Sequence, residues 1–181
     1  MARNIEIKAR IESVEAMRTQ AAALADDGPI ELLQDDTFFT CEHGRLKLRA
    51  LSATEGQLIF YQRANHRGPT ESFFLVAPTP SPDTLREALS LAYGQAGRVR
   101  KHRTLYRVGR TRVHLDRVEA LGHFLELEVV LAEREPSAAG VAEAHKLMAA
   151  LGIAPTQLIE EAYIDLLAQQ QVEHRTGAAA P

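Results

Sequence analysis

Charged side chains at alternate positions are the residues of this sequence whose spacing could do chemistry. Four segments show the alternation: 5–10, 45–49, 113–116 and 125–129. Successive side chains of a strand point to opposite faces, so each segment would place its charges on one face and its aliphatic residues on the other. The predicted charged face carries eight cations, which suit phosphate oxygens: Lys8, Arg10, Arg45, Lys47, Arg49, Arg63, Lys101 and Arg103. It also carries four carboxylates, which suit a divalent metal ion: Glu6, Asp116, Glu126 and Glu128.

Strands with mostly short connections must position this charged face. The alternation and the turn residues predict eight strands, at about 3–11, 36–42, 45–51, 57–63, 71–77, 98–107, 111–118 and 123–131. Helices are predicted after Ser13, Ser81, Pro136 and Pro155, the last one ending at about Gln170. The sequence Asp-Asp-Gly-Pro at 26–29 predicts a loop. Short connections imply that neighbouring strands are antiparallel.

The charge pattern fits two arrangements of these strands. One is an open sheet with its apolar face on helices and its charged face in water. The other is a closed barrel, because eight antiparallel strands can close around one small ligand. Like charges repel along the strand that carries Arg45, Lys47 and Arg49, and a ligand with its metal would supply the counter-charges. The pattern alone leaves both arrangements open.

Composition narrows the class of protein. At 181 residues the chain predicts one domain, residues 1–170, followed by a flexible C-terminal tail, residues 171–181. The formal net charge of −3 gives no global attraction to nucleic acid. No tryptophan and only 6% aromatic residues make a stacking platform for RNA a poor interpretation. A single cysteine and the lack of a long apolar run favour a cytoplasmic protein that does not span a membrane.

The ordered motifs resemble the CYTH family, also called triphosphate tunnel metalloenzymes, and within it the branch similar to class IV adenylate cyclases. The family's E-x-E-x-K signature corresponds to residues 4–8, where Asn4 replaces the first glutamate. Its K-x-R pairs correspond to Lys47-Leu48-Arg49 and Lys101-His102-Arg103. Its D-x-V-x-x-L-G-x-F-x-E-x-E stretch corresponds to residues 116–128, and its terminal helix to residues 163–167. The resemblance covers residues 3–168.

The resemblance implies an α+β, mainly β fold: a closed eight-stranded antiparallel barrel with a charged lumen and outer helices. It implies a Mg²⁺ site, with Mn²⁺ as an alternative ion, at Glu6, Asp116, Glu126 and Glu128. It implies a triphosphate clasp formed by Lys8, Arg45, Lys47, Arg49, Arg63, Lys101 and Arg103. The expected partner is a small-molecule triphosphate, namely ATP, tripolyphosphate or thiamine triphosphate, and a homodimer is compatible with the resemblance.

The resemblance favours a cyclase that converts ATP to cyclic AMP and pyrophosphate. A triphosphatase acting on tripolyphosphate, thiamine triphosphate or a nucleotide fits the same tunnel. A non-catalytic polyphosphate or nucleotide sensor is a further alternative, but anion binding alone would not need four carboxylates. His114 shares the face of Asp116, and we interpret it as a polar lumen residue that could contact substrate. The sequence does not identify a general base.

Overall fold

Eight strands close into an antiparallel barrel in the computed structural model, which describes residues 2–177. Around the barrel the strands lie in the order β1-β5-β4-β3-β2-β6-β7-β8. The predicted closed barrel is therefore confirmed, and the open sheet is excluded. The strands are β1 (Ala2–Arg10), β2 (Asp27–Phe39), β3 (Arg45–Ala50), β4 (Gly56–Arg63), β5 (Thr70–Thr79), β6 (Gln95–Val108), β7 (Thr111–Val118) and β8 (Gly122–Val130).

Helices cover parts of the outer surface of the barrel. Helix α1 (Val14–Leu24) contacts β6 and β7, and the Ser13 hydroxyl caps its N-terminus by accepting from the N–H groups of Glu15 and Ala16. Helix α2 (Pro82–Tyr93) contacts β2 and β3, and α3 (Ser137–Ala150) contacts β1 and β8. Helix α4 (Tyr163–Gly177) contacts β6. Within residues 2–177, no helix combines the length and hydropathy needed to cross a bilayer.

The main hydrophobic core lies outside the barrel rather than within it. The aliphatic residues of the alternating segments on β1, β7 and β8 point outward, pack beneath α1 and α3 and are almost completely buried. They include Ile5, Ile7, Val113, Leu115, Leu125, Leu127 and Val129. Burial of these side chains is the main favourable term for closing the barrel. Because a strand alternates its faces, the same burial forces the charged residues into the lumen.

Strand β2 begins earlier than the sequence predicts. Residues 27–29, predicted as a loop, belong to β2, which pairs with β6 from Asp27 onward. The register shifts between Asp27 and Ile30, so Gly28 and Pro29 are accommodated in a bulge. Gly28 has a φ of +109°, and a Cβ there would lie 2.7 Å from the Leu105 carbonyl oxygen. The turn-forming residues are therefore used inside the strand, because a bulge tolerates both glycine and proline.

The C-terminal region also differs from the prediction of one helix from Pro155 to about Gln170. Only a short 3₁₀ turn forms at Pro155–Gln157, and α4 begins at Tyr163. Residues 158–163, here called the plug, lie across one end of the barrel, where Leu158 bridges to Ala9 of β1. Helix α4 continues through Gly177, into the segment predicted as a tail. The last residues of that predicted tail, 178–181, lie outside the described residues.

Candidate active site in the barrel

The lumen contains a cavity of about 390 Å³ between the plug and the opposite end of the barrel. Val76 lines the cavity at that opposite end and is 44% exposed, so the cavity reaches solvent there. Seven lysines and arginines and four carboxylates line the cavity, which gives an excess of positive charge that favours an anion. The cations are Lys8, Lys47, Arg49, Arg63, Lys101, Arg103 and Arg112; the carboxylates are Glu6, Asp36, Glu126 and Glu128.

Strand β3 contributes two of the cations, and Asp36 of β2 orients them. Lys47 Nζ donates to Asp36 Oδ2 at 2.7 Å, and Arg49 donates to both Asp36 oxygens at 2.7 and 2.8 Å. Burial alone would raise the pKa of Asp36, but Lys47 and Arg49 outweigh it and hold that pKa well below its usual range. Burial lowers the pKa of Lys47 to about 8, although Asp36 opposes the shift. Asp36 therefore holds two cations in place without neutralising both.

The plug closes the other end through backbone groups. The Ile159 N–H donates to the Lys8 carbonyl at 3.0 Å. Lys8 Nζ donates to the Glu161 carbonyl at 3.2 Å, and Arg63 donates to the Glu160 carbonyl at 2.9 Å. Two of the predicted clasp cations are thus hydrogen-bonded to plug carbonyls. Burial lowers the pKa of Lys8, with Glu126 opposing the shift.

Tyr163 forms the floor of the cavity, and Asp116 lies beneath it. The Tyr163 hydroxyl donates to Asp116 Oδ2 at 3.0 Å, and its ring lies 4.0 Å from Lys8 Nζ and 4.9 Å from Lys101 Nζ. Asp116 is completely buried and accepts two hydrogen bonds from Arg103, at 2.7 and 2.6 Å. Burial would raise the pKa of Asp116, but Arg103 and Lys101 lower it. Asp116 does not line the cavity, and its oxygens bond to Arg103 and Tyr163.

An acidic corner forms where β1, β7 and β8 adjoin. Glu126 pairs with Lys8 at 3.2 Å and with Arg103, and Glu128 pairs with Arg112 at 2.8 Å. Burial would raise the pKa values of both glutamates, but neighbouring groups outweigh it. Lys8 and Arg103 lower the pKa of Glu126, and Arg112, together with His114 when its ring is protonated, lowers the pKa of Glu128. Glu6 lies opposite Glu128 in the β1–β8 register. Burial and repulsion from Glu128 raise the pKa of Glu6 despite Arg63, and a cation between the two would relieve that repulsion.

This corner has the donor set that a divalent cation needs. One ligand atom from each of His114, Glu126 and Glu128 lies within 4.8 Å of the other two, and these three are the one such group found in the described part of the chain. Two atoms that each lie roughly 2.1–2.3 Å from the same metal ion are at most about 4.6 Å apart. Small side-chain rotations would therefore bring these three ligand atoms within bonding distance of one ion. Carboxylate oxygens and a neutral imidazole are both metal ligands, and burial lowers the pKa of His114, which favours the neutral ring. The residues therefore fit a divalent ion.

Several polar atoms around the cavity are buried without a hydrogen-bond partner. The unpaired acceptors include Asn4 Oδ1 and Gln34 Oε1, and Ser72 faces Asn4 in the β1–β5 register. Buried polar groups are normally satisfied, so such a concentration in one cavity indicates groups that bind a ligand, an ion or water. The unpaired atoms are Asn4 Oδ1, Gln34 Oε1, Arg63 Nε, Ser72 Oγ, Arg112 Nε and His114 Nδ1.

Most of the sequence-predicted site residues meet in this cavity. Arg45 does not line it and instead contacts Asp165 of α4 at 2.6 Å. Arg10 lies over Phe124 and donates to the Leu121 carbonyl, so it too lies outside the lining. The remaining predicted residues, apart from Asp116, line the cavity: Glu6, Lys8, Lys47, Arg49, Arg63, Lys101, Arg103, Glu126 and Glu128.

Sequence reasoning missed two residues that matter here. Asp36 lies in the alternation Gln34-Asp36-Phe38, and Arg112 lies two residues before His114, so the period of two could have placed both in the lumen. Tyr163 begins the segment that resembles the family's terminal helix, but no local pattern placed its side chain in the cavity. Its position depends on the plug crossing the barrel end, and the plug packs through contacts that are distant in sequence.

Comparison with known proteins places the chain in a family. The CYTH domain model matches residues 2–163, so this protein belongs to the CYTH family, whose members act on triphosphates. No functionally curated protein has significant sequence similarity to the chain. The resemblance drawn from the motifs is thereby confirmed at the level of the family.

Solved structures show the same fold. The PH1012 protein of Pyrococcus horikoshii has a TM-score of 0.79 and 22% identity, over 90% of this chain and 98% of that one. A candidate adenylate cyclase from Vibrio parahaemolyticus has a TM-score of 0.70 and 15% identity, over 91% and 97% of the two chains. A candidate adenylyl cyclase from Hippeastrum, described as having a dominant triphosphatase activity, has a TM-score of 0.62 and 15% identity, over 94% and 96%. At these identities the likeness shows the fold alone.

Proposed function

We propose that this protein is a divalent-metal-dependent enzyme that acts on a triphosphate bound in its barrel. The observation that carries the proposal is the cavity lining, in which an excess of cations surrounds one acidic corner with unpaired metal-ligating atoms. A polyphosphate needs many positive partners, and a metal-bound polyphosphate also needs carboxylates. A receptor for the bare anion would bind it more tightly without the carboxylates, which argues against the non-catalytic alternative.

Each group of lumen residues has a role in this proposal. Lys47 and Arg49, oriented by Asp36, would hold phosphate oxygens on one wall. Lys8, Arg63, Lys101 and Arg103 would hold them nearer the plug, and Arg45 remains a predicted clasp residue outside the lining. Glu6, Glu126 and Glu128 would hold Mg²⁺, and Asp116 remains a predicted ligand that Arg103 and Tyr163 now occupy. Bound there, the metal would neutralise phosphate charge and polarise the phosphorus that is attacked.

The finer proposal is cyclisation of a nucleoside triphosphate, with ATP as the expected substrate. In that reaction the 3′ oxygen forms a bond to the α-phosphorus, the bond to the bridging oxygen breaks, pyrophosphate leaves and the hydroxyl proton is released. The observation that favours an organic substrate is the apolar wall formed by Ile59, Phe74 and Val76, on the same side as the solvent opening marked by Val76. Inorganic tripolyphosphate would gain nothing from apolar side chains, whereas a base or sugar would bury surface there.

Hydrolysis of the terminal phosphate is the second candidate. Its supporting observation is that the deep end of the cavity holds Lys8, Arg63 and Lys101 close to the plug, where a leading terminal phosphate would come to rest. Water would then be the nucleophile, and the terminal phosphorus–oxygen bond would break. The same cations stabilise the spreading oxygen charge in both reactions.

Product analysis tests the proposal. The protein is incubated with ATP, tripolyphosphate or thiamine triphosphate, each with Mg²⁺ and with Mn²⁺, and the products are separated. Cyclic AMP with pyrophosphate would identify the cyclase, and orthophosphate with the diphosphate would identify the triphosphatase. Loss of turnover in Lys47→Ala but not in the exposed-lysine control Lys146→Ala would tie the activity to the cavity. No turnover of any of the three with either ion would contradict the proposal.

A further inference from the structure

His114 of β7 has an unused metal-binding nitrogen. The side chain lines the cavity and the residue is 4% exposed, yet its Nδ1 has no hydrogen-bond partner in the part of the chain that the structure describes. Nδ1 lies 3.6 Å from Glu128 Oε1 and 3.9 Å from Glu126 Oε2, too far for a hydrogen bond. A buried nitrogen that lies close to two carboxylates without a hydrogen bond to either is arranged as expected for three ligands of one bound ion.

The other charged groups around the corner leave part of it available. Lys8 and Arg103 occupy the two oxygens of Glu126, and Arg112 occupies Oε2 of Glu128. Within the described residues, His114 is the nearest ionisable partner of Glu128 Oε1. Each carboxylate oxygen can accept more than one partner, so Glu126 can still contribute to a shared ion. The free Glu128 oxygen and the free His114 nitrogen therefore point to one position beside Glu126.

We propose that His114 is a metal ligand through Nδ1, together with Glu126 and Glu128, and that this nitrogen makes the site prefer Mn²⁺ and other first-row transition ions to Mg²⁺. The inference rests on the proposed metal-dependent function and specifies its ion. Mg²⁺ strongly prefers oxygen ligands and retains several waters, whereas imidazole nitrogen suits transition ions. Replacing one oxygen ligand by nitrogen therefore shifts the selectivity of the same corner.

The competing interpretation is that His114 contacts the substrate or only the two glutamates. In that case its ring would not coordinate the ion, and removing it would affect triphosphate binding without changing the order of metal affinities. Asn4 and Ser72, which are also unpaired, lie on the β1–β5 side and are hard neutral ligands without such selectivity. Metal binding in the absence of substrate therefore separates the two interpretations.

The test uses Mn²⁺ and Mg²⁺ as probes on the substrate-free protein. Calorimetric titrations with each ion are made on the wild type, on His114→Ala and on His102→Ala, the control being a partly exposed histidine that contacts Glu31 on the outer surface. Pulsed electron paramagnetic resonance of the Mn²⁺ complex reports directly whether a ring nitrogen is bound. We expect nitrogen coupling and at least about tenfold tighter Mn²⁺ than Mg²⁺ binding in the wild type and in the control.

His114→Ala should lose the nitrogen coupling and weaken Mn²⁺ binding by roughly 10–100-fold, with a much smaller change for Mg²⁺, since outer-shell partners alone have effects of that size. The wild-type spectrum decides the proposal even if the variant does not fold. Metal binding without nitrogen coupling would overturn the His114 inference and leave the proposed function standing. Failure of the wild type to bind either ion, alone or with a triphosphate, would overturn both.

Discussion

Two carboxylates at predicted metal positions, Asp116 and Glu128, have opposite environments. Asp116 lies at the closed end of the barrel, completely buried, and accepts hydrogen bonds from Arg103 and Tyr163. Glu128 lies in the acidic corner, where Arg112 pairs with one oxygen and the other lies beside an unpaired nitrogen of His114. The two residues belong to the same alternating pattern in the sequence. Their difference lies in how many partners the fold supplies.

The number of partners that each carboxylate has indicates whether it stabilises the fold or can bind a ligand. A carboxylate that is completely buried, lies outside the cavity lining and is hydrogen-bonded at both oxygens can hold elements together, but it is not positioned to meet a ligand. A charge with an unpaired oxygen is costly in the free protein and gains most when a ligand arrives. We therefore expect changes near Asp116 to alter stability and changes near Glu128 to alter metal and substrate binding.

The largest effect is expected for Asp116→Ala. Removing this carboxylate leaves Arg103, which is 4% exposed, with Glu126 as its one remaining ion-pair partner among residues 2–177, and it removes the hydrogen bond from Tyr163. Breaking a buried pair from one side destabilises proteins by about 3–5 kcal/mol. Urea unfolding of the variant should show a loss of that order. Glu119→Ala, which removes one long and exposed contact with Arg100, should change stability by less than about 0.5 kcal/mol. Similar losses of unfolding free energy in Asp116→Ala and Glu119→Ala would show that Asp116 has no special structural role.

Tyr163→Phe should have a smaller effect at the same end. The variant keeps the ring that packs on Phe124 but loses the hydroxyl that donates to Asp116. A hydrogen bond to a charged group contributes roughly 1.5–3 kcal/mol, so the free energy of unfolding should fall by that amount. Thermal or urea denaturation measures it, with the exposed Tyr93→Phe as the matched control. An unchanged Tyr163→Phe protein would mean that the plug is not held by Asp116.

Glu128→Gln tests the other half of the comparison. The substitution keeps the shape of the side chain and removes a formal charge that has one cationic partner. Metal binding should weaken by roughly 10–100-fold, while stability changes little because Arg112 is partly exposed and retains an amide oxygen as acceptor. Half-saturation by Mg²⁺ and Mn²⁺, measured by calorimetry beside a denaturation curve, reports both quantities. If the metal concentration at half-saturation is unchanged and the free energy of unfolding falls strongly, Glu128 stabilises the fold, as Asp116 does, and does not bind the metal.

The smallest effect is expected for the pH dependence of triphosphate binding by Lys47, which Asp36 orients. The pKa of Lys47 is about 8, below the 10.5 of a free lysine, so the folded protein loses this proton before the unfolded chain does. Stability should therefore rise with pH between about 8 and 10.5. Triphosphate affinity should move the other way and fall by roughly tenfold from pH 7 to 9, because a neutral Lys47 no longer binds phosphate.

Calorimetry at three pH values measures this decline, with Lys47→Arg as the matched variant. The guanidinium stays charged over the whole range, so the decline should shrink in Lys47→Arg. An equal pH dependence in both proteins would show that another group, such as Lys8 with its own lowered pKa, controls the affinity.

The sequence pattern by itself determined which residues share the charged face that became the lumen, whereas closure into a barrel was expected only from the resemblance to the CYTH family. Alternation is a local property of the extended backbone, so Lys47, Arg49, Glu126 and Glu128 could be assigned to one face without knowing any neighbour. The same rule, applied more fully, would have found Asp36. Local rules failed at Gly28 and Pro29, where turn residues are absorbed in a bulge that only the pairing of β2 with β6 makes favourable.

Only the tertiary structure decided which charges are free. Whether a carboxylate is paired depends on strand register and on the plug, and the partners of Asp116 are separated from it by 13 residues at Arg103 and by 47 at Tyr163. The register of the β6–β7 hairpin places Arg103 opposite Asp116. No spacing rule along the chain encodes the Tyr163 contact, because it arises from burial of the cluster around Phe124 and Tyr163 at the barrel end. The sequence therefore determined which residues enter the lumen, and the packing of the plug and the strand register determined which of them remain available to bind.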